Sequence, residues 1–163
     1  MSERGGAGAG VARSAVRTYL NTGVFIKLYT AERESLAVER WVKARGEAVR
    51  LSALHEAEVV SALRLKQFRR EGTAREVEAA LALMEKDFRV GILRRIALDW
   101  PEVWAQARGL AGRWAGVTGC RTLDSLHVAS ARWLGCREFV TTDERQAAMA
   151  GAVRLRVVDP RRG

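Results

Sequence analysis

A chain of 163 residues and 18.0 kDa, 48% hydrophobic, is long enough to bury one core without disulfides or a structural metal. Charges interrupt every apolar stretch well before the roughly 18 residues of a membrane span. Two cysteines (Cys120, Cys136) and two histidines (His55, His127) exclude a disulfide framework and a histidine-rich zinc site.

The cysteine usage suits a reducing compartment, and a bound metal would be held by oxygen, which favours magnesium or manganese. The formal net charge of +9 and a pI of about 10.7 point to a polyanionic partner, or else to arginine-rich coding in a GC-rich genome.

Residues 1–16 are rich in Gly, Ala and Ser without a hydrophobic period, and read as a mobile extension ahead of a single domain over residues 17–163. From there, short β-type runs alternate with longer helical ones, the pattern of an α/β protein with a mostly parallel sheet. A strand over residues 17–20 enters Asn21-Thr22-Gly23, a turn with helix-capping chemistry, and then an apolar helix over residues 24–30. A second helix covers residues 33–43, with Leu36, Val38 and Trp41 spaced for burial. After a strand over residues 49–51, Ser52 caps a long helix to about residue 70, which Gly72 ends.

Thr73 caps the next helix, in which Val77, Ala80, Leu81 and Met84 recur at helical spacing. A marginal strand over residues 90–93 follows. Trp100-Pro101 then opens a helix with Val103, Trp104, Ala107 and Leu110 on one side, closed by the glycines near Gly116 and Gly119. Thr122 caps a helix over residues 123–134, which Gly135 stops before a strand over residues 138–141. Asp143 starts one more helix, and residues 153–158 form the last strand.

In open α/β sheets, ligand sites collect at the carboxyl ends of the strands. Asn21 follows the first strand, Asp143 follows the strand over residues 138–141, and Asp124 lies in a first helical turn, whose dipole favours negative charge. Glu58 interrupts the apolar or small run Ala57-Glu58-Val59-Val60-Ser61-Ala62-Leu63, so it needs a partner, which an arginine, solvent or a metal would each supply. His127, three residues after Asp124, reads as a packed or hydrogen-bonded core histidine. Glu56 and Glu144 read as solvated charges, and the five tryptophans as core or interface residues.

Four segments stand in order: Tyr19-Leu20-Asn21-Thr22-Gly23-Val24-Phe25, Leu51-Ser52-Ala53-Leu54-His55-Glu56-Ala57-Glu58, Leu123-Asp124-Ser125-Leu126-His127 and Phe139-Val140-Thr141-Thr142-Asp143. Together they resemble the motifs of the PIN-domain family of metal-dependent ribonucleases, and the single-domain size resembles the VapC-type toxins of bacterial toxin–antitoxin pairs. The resemblance implies a three-layer α/β/α fold around a central, mostly parallel sheet of four to five short strands. It implies an acidic pocket for Mg2+ or Mn2+ at Asn21, Glu58, Asp124 and Asp143, these four being the catalytic positions, with Thr22, Thr141 and Thr142 beside them to position Asp143 or touch phosphate. RNA would be the substrate and a cognate antitoxin the partner, with the toxin a cytoplasmic homodimer.

Two positions depart from the family pattern. Asn21 stands where the first aspartate is expected, and Gly23 replaces a serine or threonine. An amide oxygen ligates a cation without adding charge, so a ribonuclease weakened or silenced at Asn21 is expected. A PIN-like protein that binds RNA or an antitoxin without cleaving, and a housekeeping PIN nuclease, remain as alternatives.

Overall fold

The computed structural model describes residues 16–162; residues 1–15 of the expected extension lie outside them, and Val16 is already packed in the core. Five three-residue strands form β1 (Thr18–Leu20), β2 (Val49–Leu51), β3 (Leu93–Arg95), β4 (Glu138–Val140) and β5 (Arg156–Val158). Every strand pair is parallel, as the alternating pattern predicts, with order β1-β4-β5 in one group and β2-β3 in the other. Thr18 pairs with Glu138 and Glu138 with Arg156, so the carboxyl ends of β1, β4 and β5 lie level.

Successive strand residues point to opposite faces, and this alternation divides the core. Tyr19 and Phe139 pack with Val103, Ala107, Leu126 and Met149 on one side. Leu20 and Val140 pack with Phe25, Val38, Val59, Val77 and Met84 on the other. The first face is covered by α5 (Trp100–Leu110), α7 (Thr122–Trp133) and α8 (Glu144–Ala152). The second is covered by α1 (Thr22–Phe25), α2 (Ser35–Arg45), α3 (Ala53–Phe68) and α4 (Ala74–Arg89). The result is an α/β/α arrangement, in which completely buried side chains such as Phe25 and Phe139 each contribute about 1.5–3 kcal/mol of burial.

The two strand groups meet at a seam between β1 and β2. There the buried His55 bridges: its Nε2 lies 2.9 Å from the Leu20 carbonyl, while its Nδ1 accepts from the Ser52 N–H at 3.2 Å. Ser52 occupies the N-cap of α3 as expected, with the His55 ring at the position where a capping box usually carries Glu or Gln. Thr73 caps α4 in the same way with Glu76.

Several boundaries differ from the sequence expectations for identifiable reasons. The first helix begins two residues early, at Thr22, because Asn21 caps it, and it tightens into a 3₁₀ turn over Ile26–Leu28. Leu36 is 64% exposed, whereas Val38 is the position of α2 that is buried. The expected strand at residues 90–93 moves to β3, because Val90 still caps α4 and Gly91 turns the chain at φ +81°. Trp104 is 51% exposed, on the outer face of α5. Of the two glycines expected to close that helix, Gly119 does so at φ +73°, after a π-helical stretch, Ala111–Ala115, and the short α6 (Gly116–Thr118). Arg121, not Thr122, occupies the N-cap of α7. The last strand starts only at Arg156, because Arg154 sits in the left-handed region at φ +65°.

Candidate functional site

At the carboxyl ends of β1 and β4 the chain turns into α1 and α8, and a cleft opens between them. It is lined by Asn21, Thr22, Gly23, Ile26, Lys27, Glu32, Glu58, His127, Thr142, Asp143 and Gln146. Of the three strand-end candidates, Asn21 and Asp143 meet here although 122 positions separate them, and Glu58 joins them from α3. Asp124 does not line the cleft; it joins from behind through Gln146. Thr22 and Thr142 line it, while the buried Thr141 sits behind them and accepts the Asp143 N–H at 3.1 Å.

Glu58 projects from the middle of α3 into the cleft, and its Oε2 is doubly held. Thr22 Oγ1 donates to it at 2.5 Å and the His127 Nε2–H at 2.5 Å, while Tyr19 hydroxyl donates to the far nitrogen of that ring at 2.8 Å. His127 is a buried, hydrogen-bonded histidine as expected, yet it also orients the Glu58 carboxylate. Burial disfavours the Glu58 charge, but the hydrogen bonds from His127 and Thr22 outweigh it, so the carboxyl lies below its ordinary pKa. Among the described residues Glu58 Oε1 accepts no hydrogen bond.

Asp143 caps α8, with Oδ1 accepting from the N–H groups of Arg145 at 2.8 Å and Gln146 at 3.1 Å. Its Oδ2 lies 3.5 Å from Arg145 Nη2. Asn21 is likewise a cap: Oδ1 accepts from the Val24 N–H at 2.8 Å, and Nδ2 donates to Gln146 Oε1 at 2.7 Å and to Thr141 Oγ1 at 3.0 Å. Asp124 accepts the Arg121 N–H at 2.8 Å and Gln146 Nε2 at 2.7 Å.

Sequence reasoning did not single out Gln146. Its only local signal is the helical offset of three residues from Asp143, which puts its amide over the cap of α8; the contacts with Asn21 and Asp124 are purely tertiary. On the wall opposite α8, Lys27 pairs with Glu34, and Glu32 pairs with Lys66 at 3.0 Å, so the cations there are largely balanced.

The donor set is oxygen only, apart from the engaged imidazole, as a hard divalent cation prefers. Among the described residues no three His, Cys, Asp or Glu side chains converge into a cage. Glu58 and Asp143 share the cleft, however, and two carboxylates with the shell completed by water and phosphate oxygens is a common way of binding Mg2+. The residues fit a cation in that reduced form, held less tightly than four acidic groups would hold it.

The family model for the PIN domain matches residues 18–152. No curated protein matches the chain. Among solved structures, the chain is similar to the crystal structure of FitAcB from Neisseria gonorrhoeae, with a TM-score of 0.56 and 16% identity over 88% of this chain and 97% of the other. At that identity the likeness is one of fold.

Proposed function

The chain belongs to the PIN-domain family, whose members are generally nucleases that use divalent metals, and we propose that it is an endoribonuclease dependent on Mg2+ or Mn2+, weakened by Asn21. The observation that carries this is the pairing of Glu58 and Asp143 across one cleft, with Glu58 anchored through a single oxygen. Like charges in one cleft repel, so carboxylates that share it are best satisfied when a cation is received between them.

Glu58 and Asp143 would hold the cation, which when bound would neutralise phosphate charge and lower the pKa of a coordinated water. The chain itself supplies orientation. Thr22 and His127 fix the Glu58 carboxylate through Oε2, which leaves Oε1 without a hydrogen bond, and Tyr19 holds the imidazole by donating its hydroxyl to Nδ1. Thr142, which lines the cleft, would touch a phosphate oxygen, and Arg145, beside Asp143 at 3.5 Å, would offer a guanidinium to the same polyanion. The net charge of +9 suits RNA as that polyanion. Asn21 caps α1 and adds no charge, so the cation is held weakly, and Asp124, a third carboxylate, stands behind Gln146 outside the cleft lining.

In this proposal the protein is the toxin of a toxin–antitoxin pair, a cytoplasmic homodimer whose cognate antitoxin covers the cleft. No helix among the described residues is long and apolar enough to cross a membrane. The test is cleavage of a panel of defined RNAs with Mn2+ or Mg2+, comparing this chain with Asn21→Asp and with Asn21→Asp carrying Asp124→Asn. Expected are weak or no cleavage with asparagine, cleavage with aspartate, and its loss with Asp124→Asn or EDTA. An Asn21→Asp protein that neither cleaves nor gains metal-dependent thermal stability overturns the proposal. Metal-independent retention of intact RNA by the unaltered chain would then favour a binding protein.

A further inference from the structure

Gln146 occupies a place that the proposed chemistry does not use. Its side chain is buried at 6% exposure, and it is the middle link of a directed chain of hydrogen bonds. Asn21 Nδ2 donates to Gln146 Oε1 at 2.7 Å, and Gln146 Nε2 donates to Asp124 Oδ1 at 2.7 Å. Thr141 Oγ1 also lies 3.3 Å from Gln146 Oε1, as a donor to it. A glutamine amide has one accepting end and one donating end, so its orientation follows from what stands at each. Here Asn21 decides. Its own oxygen is taken by the Val24 N–H, which leaves only its NH2 to face Gln146. The Gln146 NH2 is therefore turned onto Asp124, in a charge-assisted bond of the stronger kind. With its other oxygen on the Arg121 N–H, Asp124 is tethered at both ends and does not line the cleft.

We infer that Asn21, Gln146 and Asp124 form a latch in which Gln146 is a positioning residue, holding Asp124 out of the cleft for as long as residue 21 is a donor. This rests on the reading of the cleft as a divalent-cation site. An aspartate at position 21 would present an acceptor at each end of the same amide. One NH2 would then be shared between two carboxylates, with only Thr141 left to hold Oε1 in its present place, and whenever the NH2 faces position 21 Oε1 faces the Asp124 carboxylate. Two acceptors do not keep a 2.7 Å contact, so Asp124 is released toward the cleft. Asparagine at position 21 thus lowers the charge of the site twice, once directly and once by restraining Asp124.

The experiment is a double-mutant cycle on Mn2+ binding, measured by calorimetry on the full chain: unaltered, Asn21→Asp, Gln146→Met, and both together. Methionine matches glutamine in length and carries neither the donor nor the acceptor. Gln146→Met alone should tighten Mn2+ binding by roughly tenfold, the usual scale for residues that orient metal ligands. Asn21→Asp should tighten it further, and its gain should shrink by about the same tenfold in the Gln146→Met background. Equal gains in the two backgrounds, or weaker binding by Gln146→Met, overturn the latch.

A metal-free measurement separates this from the cation reading. In EDTA, the side-chain NH2 resonances of Gln146 in a 1H–15N spectrum should exchange slowly with solvent, and both Asp124→Ala and Asn21→Ala should shift them and speed that exchange. Unmoved Gln146 signals in Asp124→Ala overturn the latch outright. If those signals respond as expected while none of the four proteins binds Mn2+, the amide chain stands and the cation reading falls.

Discussion

Replacing His55 by asparagine removes a buried titratable group from the seam between β1 and β2 and leaves its cap in place. His55 Nδ1 accepts from the Ser52 N–H and Nε2 faces the Leu20 carbonyl, so the ring is neutral with its proton on Nε2. Burial first, and the neighbouring His127 second, pull its pKa from 6.5 down to about 3. As pH falls, the unfolded chain takes up the proton near 6.5 while the folded one resists until about 3. The folded state therefore loses stability progressively as pH falls through that window, and the contribution is fully present only above it. At about 1.4 kcal/mol per pH unit, this group alone removes about 2 kcal/mol between pH 6.5 and 5. His55→Asn retains a short acceptor for Ser52 but leaves the Leu20 carbonyl without its donor, at a cost of about 1–3 kcal/mol at pH 7. Urea unfolding followed by tryptophan fluorescence at pH 7.5, 6.5, 5.5 and 5.0 should show the variant less stable at the top of the range, with the gap closing or reversing at the bottom. A gap that stays constant from pH 7.5 to 5.0 refutes a neutral, burial-held His55.

Three further outcomes can be checked by simple measurements. Thr73→Ala removes the side-chain acceptor for the Glu76 N–H and should lower unfolding free energy by about 1 kcal/mol in chemical denaturation. Gly119→Ala forces a Cβ into a backbone at φ +73° and to 3.4 Å from Arg145 Cδ, and should lower stability by about 1–2 kcal/mol in the same assay; a melting temperature equal to that of the unaltered chain would count against the left-handed turn before α7. Cys136, buried and with its thiol pushed up to about 12 by that burial, and Cys120, also buried and shifted upward, should both resist a thiol reagent at pH 8 and react together once the chain is unfolded in urea.

Local chemistry settled much of this protein in advance. The alternation of β-type and helical runs, the caps at Ser52, Thr73 and Asp143, and the stop at Gly135 depend on residues within one turn of each other, so they are legible without any long-range contact. The parallel order of short strands then put Asn21 and Asp143 at one end of the sheet, where Glu58 reaches them from α3. What the fold alone decided is how those groups are spent. Asn21 uses both ends of its amide on neighbours; Gln146, unremarkable in the sequence, fastens Asp124 behind the cleft; and His127, from a core helix, aims Glu58. The choice of Val38 over Leu36 for burial, and the exposure of Trp104, followed the same logic, because which face of an amphipathic segment is covered depends on what packs against it. Hydrogen-bond direction between residues more than a hundred positions apart has no periodicity in the chain. It exists only once β1, β4 and α8 stand side by side.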